Sequence, residues 1–392
     1  MNQKRKVLVV GGGFGGIKTA LELSGDTRFE VTLMSEHNHF RYYPTLYRAA
    51  TGGSLGASKI MLSSIFENRP VKLVGGTAAK LDRTKKQVLS KDGKKCAYDD
   101  LVLALGVVTN YFGIKGLEQY AYGIKSVEEA RRLREHLHTS LTTGEGELNY
   151  VIIGGGPTGV ELAGALPGYL DRVRQAHKLP PRKFHVDLVE AEPRLMPRMP
   201  GAYSKAVAKR LRKLGVKLYL GQSVQAETAD ELKVSGHSIA SHTVIWTAGV
   251  ANHPFYSTNG FALSEHGKVA VDEKLAAEDN IYVIGDNSDT PYSGMAQTAL
   301  FDAKFVAGNL KRLAAGAPPK AYTPKKPVYI TPCGHGWAAV LWGHFGTFGR
   351  LGWWLRDAAD FVGFRDFEPW WKAGQLLMEE AREAGDCKIC NP

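Results

Sequence analysis

The chain has 392 residues, 44% of them apolar and 23% charged, with 44 glycines and a formal net charge of +11. That length is too great for one ordinary core, and the composition excludes a disordered chain and fits an α/β enzyme of two or three domains. The positive balance favours an anionic membrane surface or a phosphorylated cofactor; no zinc-finger spacing or nucleic-acid module accompanies it, so no nucleic acid is expected. Four cysteines, Cys96, Cys333, Cys387 and Cys390, do not make a secreted disulfide framework. The basic, then apolar N-terminus runs straight into a glycine motif and reads as a strand rather than a signal peptide. No uncharged apolar run approaches the roughly 20 residues of a span, so a soluble or peripheral protein is predicted.

The apolar run 6–10 predicts a first strand, and Gly11-x-Gly13-x-x-Gly16 then opens a helix over 17–23. Gly11 suits the tight turn, Gly13 the approach of a pyrophosphate and Gly16 close helix–strand packing, with the helix N–H groups cradling the phosphates. A second strand over 30–34 ends at Ser35 and Glu36, and Glu36 is the candidate for ribose hydroxyls. The aromatic and basic stretch 37–47 covers a cofactor or packs a loop; its His37 and His39 do not form a metal set, and no metal is expected. A strand over 71–82 is followed by a hairpin turning at Asp92-Gly93, and 98–105 reads as a buried strand ending at Gly106.

Helical spacing resumes over 126–138, and the strand 150–153 leads into a second motif, Gly154-x-Gly156-x-x-Gly159. The helix from Pro157 carries Glu161 one turn on, where it approaches the junction of two cofactors. Residues 171–183 lengthen the crossover before the strand 184–189, which ends at Glu190. A carboxylate there accepts from both ribose hydroxyls and repels a 2′-phosphate, favouring NADH over NADPH, although Arg194 and Arg198 lie nearby and weaken that preference. A helix over 203–213, strands over 216–220 and 243–246, and the turn containing Gly249 complete this unit. A strand over 280–284 then meets Gly285-Asp286.

Two glycine motifs followed by IYVIGD resemble the two-dinucleotide-binding flavoprotein superfamily over roughly residues 5–325. The stretches HNHFRYYPTLYRAATG, LVLALGVVTNYFGIKG, GGGPTGVELAG, WTAGV and AQTALFDA resemble, within it, type II NADH dehydrogenases, the single-subunit, non-proton-pumping NADH:quinone oxidoreductases with noncovalent FAD. The resemblance implies two Rossmann-like domains, the second inserted in the first: residues 1–112 and 248–325 for FAD, 113–247 for NADH, and 326–392 as an aromatic-rich quinone and membrane-contact region. By it Gly11, Gly13 and Gly16 bind FAD, Gly154, Gly156 and Gly159 bind NADH, and Asp286 contacts the flavin ribityl–phosphate region. Gly106, Gly249 and Ala296 line the cofactors, while Glu161 and Gln297 order the quinone pocket or help protonate quinone. Hydride would pass from NADH to FAD and two electrons on to membrane quinone. Two departures stand out: the family's first ribose carboxylate often aligns with Ser35, and Pro332-Cys333 replaces a lysine that many relatives carry near the quinone, which leaves the acceptor open.

Six of the seven tryptophans fall between Trp337 and Trp371, mixed with Phe, Leu and Arg, a composition suited to a monotopic membrane contact. A cytoplasmic-face, peripheral homodimer is expected, the dimer from the resemblance alone. The Cys387/Cys390 pair reads as a tail without catalytic duty, and the absence of cysteine from 97 to 332 disfavours paired-cysteine sulfide chemistry. The alternatives are a related reductase with a sulfur compound or small redox protein as acceptor, and an NADH-responsive, non-enzymatic flavoprotein.

Overall fold

A computed structural model of the chain describes residues 4–143, 148–180, 184–241 and 243–383. The tail pair Cys387 and Cys390 lies outside them. Two parallel sheets organise the molecule. The first runs Ala276–Glu278, Ile281–Val283, Asp100–Leu103, Arg5–Val10, Phe29–Ser35, Val71–Gly75, with only the outermost pair antiparallel. Its central strand is buried from Val7 to Val10, the run expected of a sheet covered on both faces. Ile281–Val283 returns to this sheet from the far side of the second one, which therefore interrupts the first unit in sequence. The second sheet is Val216–Leu220, Phe184–Glu190, Leu148–Ile153, Thr243–Trp246, all parallel. An antiparallel ribbon, Val107–Thr109 against Val250–Asn252, carries the chain between the two units.

Three predicted elements change on inspection. The run 71–82 is not one strand but two, Val71–Gly75 and Ala78–Asp82, in different sheets. Gly76 breaks it with φ +155°, a value that only glycine adopts freely. The strand expected over 98–105 shortens to Asp100–Leu103, because Ala104 leaves the sheet to pack its carbonyl on the first glycine turn. The second-unit helix, Pro157–Ala176, continues through Pro167 and takes up much of the long crossover.

The C-terminal part is a three-stranded antiparallel sheet, Tyr329–Pro332, Ala338–Trp342 and Phe345–Gly349, followed by helices Arg350–Arg365 and Trp370–Glu383. Glycine lets the first of these helices sit close: a Cβ at Gly352 would lie 2.2 Å from the Ala338 carbonyl oxygen, and one at Gly363 2.1 Å from the Tyr42 hydroxyl. Phe364 stacks on Tyr42 at 4.4 Å between ring centroids. Both helices thereby close over the segment 39–50 of the first unit and join its core, through Phe364, Phe367 and Ala373.

Candidate active site

Both glycine motifs fold as strand–turn–helix, and their three glycines divide the work alike. Gly11 and Gly154 have φ of +118° and +110°. Gly16 and Gly159 have no room for a side chain: a Cβ would stand 1.9 Å from the Gly11 carbonyl oxygen and 1.8 Å from that of Gly154. The middle glycines, Gly13 and Gly156, meet nothing within 4 Å and face open space. Each helix begins there without a side-chain cap and without an acidic residue in its first turn. The N–H groups of both first turns thus point, unquenched, at a cavity that a Cβ would partly fill, which fits a pyrophosphate in each.

At the second cradle Glu190 accepts the Gly155 N–H at 2.5 Å and the Glu192 N–H at 2.8 Å, so its carboxylate is fixed beside the glycine turn. Arg194 does not compete for a phosphate: its guanidinium donates to the carbonyls of Met199 and Pro197 and to the Ser204 hydroxyl. Arg198 is exposed and within electrostatic range of Lys268 and Tyr329. At the first cradle Ser35 sits against Gly12 and donates to the His37 carbonyl, while Glu36 is exposed, 3.9 Å from the His37 ring. No set of metal-ligating side chains occurs among the described residues.

Gly285 turns with φ +72° and donates its N–H to buried Asp302. The Asp286 carboxyl accepts the Gly294 N–H and faces Lys268; burial pushes its pKa up. Next to it Asn287 clamps Gly106, accepting its N–H at 2.8 Å and donating to its carbonyl at 2.6 Å, and also donates to Asn252. Gly249, φ +71°, accepts Lys125 Nζ at 3.1 Å, and a Cβ there would lie 2.4 Å from the Asn110 carbonyl oxygen. Strand ends of both units are therefore sewn together around the connecting ribbon. Ala296 opens the helix Ala296–Leu313, and Gln297 accepts the Val328 N–H at 2.9 Å, which ties it to the start of the C-terminal sheet.

Glu161 is largely buried, its side chain 12% exposed, and burial pushes its pKa up to about 7 although Arg356 and Arg48 pull it down. Arg356 Nη1 stands 3.9 Å from Glu161 Oε1. Arg356 forks onto Asp360 through Nε and Nη2, at 3.0 Å each, and Nη2 also donates to the Pro44 carbonyl. Arg48 bridges Asp360 at 3.1 Å and Glu380 at 3.0 Å, and its guanidinium lies over the rings of Tyr47 and Trp353. None of these four charged partners was picked out in the sequence. A signal was present: Gly352, Arg356, Asp360 and Phe364 recur every fourth residue, a row that carries one ion pair on an otherwise apolar helix face. Cys333 is fully buried; burial pushes its thiol up to about 12. Its backbone packs on Gly164, one turn beyond Glu161.

The same C-terminal segments turn large apolar side chains outward. Trp342 is 66% exposed, Trp354 70% and Trp370 67%, beside exposed Phe345, Leu351 and Trp371. No helix among the described residues is long and apolar enough to cross a membrane.

The chain is 28% identical over 357 residues to the type II NADH:quinone oxidoreductase of Mycobacterium tuberculosis, covering 82% of this chain and 75% of that one. In structure it is similar to NDH2 of Plasmodium falciparum solved with NADH, with TM-score 0.84, 16% identity, and 97% and 98% of the two chains covered. It is also similar to the sulfide:quinone oxidoreductase of Aquifex aeolicus, with TM-score 0.78, 19% identity, and 90% and 89% covered. These likenesses repeat the resemblance carried by the motifs, the structural ones for the fold alone. The match of residues 5–303 to the pyridine nucleotide-disulphide oxidoreductase model spans both glycine cradles and Gly285-Asp286, and the chain belongs to that family.

Proposed function

We propose that the chain is an FAD-dependent enzyme that oxidises NADH and reduces a membrane quinone, without pumping protons. The observation that carries this reading is the pair of open, uncapped glycine cradles on two parallel sheets, with a largely buried carboxyl, Glu161, on the second cradle's helix. Gly11, Gly13, Gly16, Glu36, Gly106, Gly285 and Asp286 hold FAD; Gly154, Gly156, Gly159 and Glu190 hold NADH, with Gly249 and Ala296 between the two. FAD, when bound, supplies the two-electron chemistry that links nicotinamide to quinone. Glu190, committed to backbone N–H groups at the ribose end, selects NADH by repelling a 2′-phosphate. Glu161 holds a proton close to neutral pH, the condition for giving one to a quinone oxygen as two electrons arrive. Gln297, anchored on Val328, orders the same pocket.

In this reading residues 1–112 and 248–325 form the FAD domain, 113–247 the NADH domain and 326–392 the acceptor region. The exposed tryptophans of that last region, on a chain of net charge +11, lay the enzyme on the anionic cytoplasmic face of the membrane as a peripheral protein, and the homodimer rests on the family resemblance alone. A sulfur acceptor is the weaker reading, because the Cys333 thiol is buried and held protonated, whereas attack on sulfur needs a thiolate. Anaerobic stopped-flow absorbance at the flavin band tests the reading. Rapid bleaching by NADH, slow bleaching by NADPH and rapid recovery with menaquinone or ubiquinone analogues are expected. Bleaching without recovery by any quinone overturns the acceptor.

A further inference from the structure

An ionic row inside a packed helix face requires explanation, because burying an ion pair seldom adds stability over apolar side chains of similar volume. Here Asp360 and Glu380 are 3% and 2% exposed, and Arg356 6%. The ions form one continuous chain: Glu161, Arg356, Asp360, Arg48, Glu380. It crosses four elements, from the second-unit helix through Arg350–Arg365 and Leu46–Ala50 to the last helix.

The fork of Arg356 is divided. Nε and Nη2 are spent on Asp360 and on the Pro44 carbonyl, and Nη1 is turned toward Glu161. At 3.9 Å the contact is too long for a hydrogen bond and acts through charge. A lysine could supply the charge but not the planar fork that locks its direction.

We propose that Arg356, clamped by Asp360, is a positioning residue for Glu161, fixing the orientation and proton affinity of that carboxyl on the acceptor side of the site. The proposal rests on the reading of Glu161 given above. The groups that face Glu161 are Arg356 and Asp360 from one helix, Arg48 and Tyr47 from a second and Tyr203 from a third. Arg356 exerts the largest downward pull on its proton affinity against burial, with Arg48 next and Asp360 opposing both. Without the guanidinium, burial and Asp360 act on Glu161 with only Arg48 against them.

The test is difference infrared spectroscopy of the FAD-loaded protein over a pH series. The carboxyl C=O band of Glu161 is assigned by its loss in Glu161→Gln. In Arg356→Gln the band's titration midpoint is expected to rise by at least one pH unit, a tenfold gain in proton affinity. Arg356→Lys is expected to return it part of the way. Arg356→Met, which fills the same volume without charge, repeats the measurement should Arg356→Gln not accumulate as folded, FAD-loaded protein. An unmoved midpoint in either folded neutral variant overturns the proposal. A moved midpoint with unchanged quinone reoxidation keeps the positioning role and instead removes Glu161 from the acceptor reaction.

Discussion

The last two glycines of the second cradle, Gly156 and Gly159, should respond oppositely to the same added methyl group. At Gly156 the backbone has φ −76° and ψ −175°, ordinary values for alanine, and a Cβ there meets nothing within 4 Å. Gly156→Ala therefore leaves the fold intact, apart from an N-cap penalty of about 1 kcal/mol or less. The methyl group instead enters the space assigned to the pyrophosphate. Pushing the phosphates back loosens charge-assisted hydrogen bonds from the helix N–H groups, each worth about 1.5–3 kcal/mol. Loss of one such bond weakens NADH by about 10- to 150-fold. At Gly159 the same methyl group would stand 1.8 Å from the Gly154 carbonyl oxygen and 2.7 Å from Thr247 Oγ1, so the helix must move off its sheet. Gly159→Ala is expected to cost about 2 kcal/mol or more of unfolding free energy, in the range of overpacked cores. Urea unfolding and the NADH dependence of flavin bleaching separate the two effects. An unchanged NADH dependence in Gly156→Ala, or full stability in Gly159→Ala, refutes the division of roles among the glycines.

Glu161→Gln should leave the rate of flavin bleaching by NADH within about twofold and slow quinone reoxidation by about 10²-fold or more, the range of a lost general acid, with the pH dependence near 7 abolished. Glu227 is buried, has an unpartnered Oε2 and is pushed up to about 8 by burial. An acid raised in the folded state contributes most below its unfolded pKa, and that contribution is lost as pH rises toward 8. Glu227→Gln should accordingly raise unfolding free energy at pH 9 by about 1–3 kcal/mol and leave it unchanged at pH 4, measured by urea titration at both pH values. Replacing Trp354 and Trp370 together with serine should weaken flotation with anionic vesicles by about 30-fold or more while turnover with a water-soluble quinone persists. Equal flotation of that double variant and the parent chain would place the membrane contact elsewhere.

Most of the scaffold was legible because it is local. A β-branched run followed by spaced glycines specifies strand, turn and helix within about 20 residues, and the geometry of Gly11, Gly16, Gly154 and Gly159 is the one the spacing demands. The insertion came from the resemblance carried by the two motifs and Gly285-Asp286, and the return of Ile281–Val283 to the first sheet matches it. Boundaries failed where a single residue decides them. Gly76 splits a run that alternates like one strand, and periodicity alone does not distinguish a glycine that bends from one that merely sits in a strand. Arg194 weakened the NADH preference on its proximity in sequence, because its carbonyl partners were not visible there.

The surroundings of Glu161 were harder for the opposite reason. The groups come from residue 48, residue 161 and residues 356–380, and no short-range pattern links them. Sequence singled out Glu161 and passed over Arg48, Arg356, Asp360 and Glu380; only packing turns them into one ionic chain. That chain also explains why the C-terminal helices combine two unlike faces. Their outer face carries exposed tryptophans, while the inner face of one presents Arg356 and Asp360, and Glu380 of the other reaches Arg48. An interaction that seats the outer face on a lipid surface would therefore press on the same helix that holds the guanidinium against Glu161. On the proposed membrane contact, attachment and control of the Glu161 proton would be mechanically joined in one element. Vesicle binding should move the infrared midpoint of Glu161 in the parent chain and leave it still in the Trp354 and Trp370 double variant; identical midpoints with and without vesicles would separate the two roles.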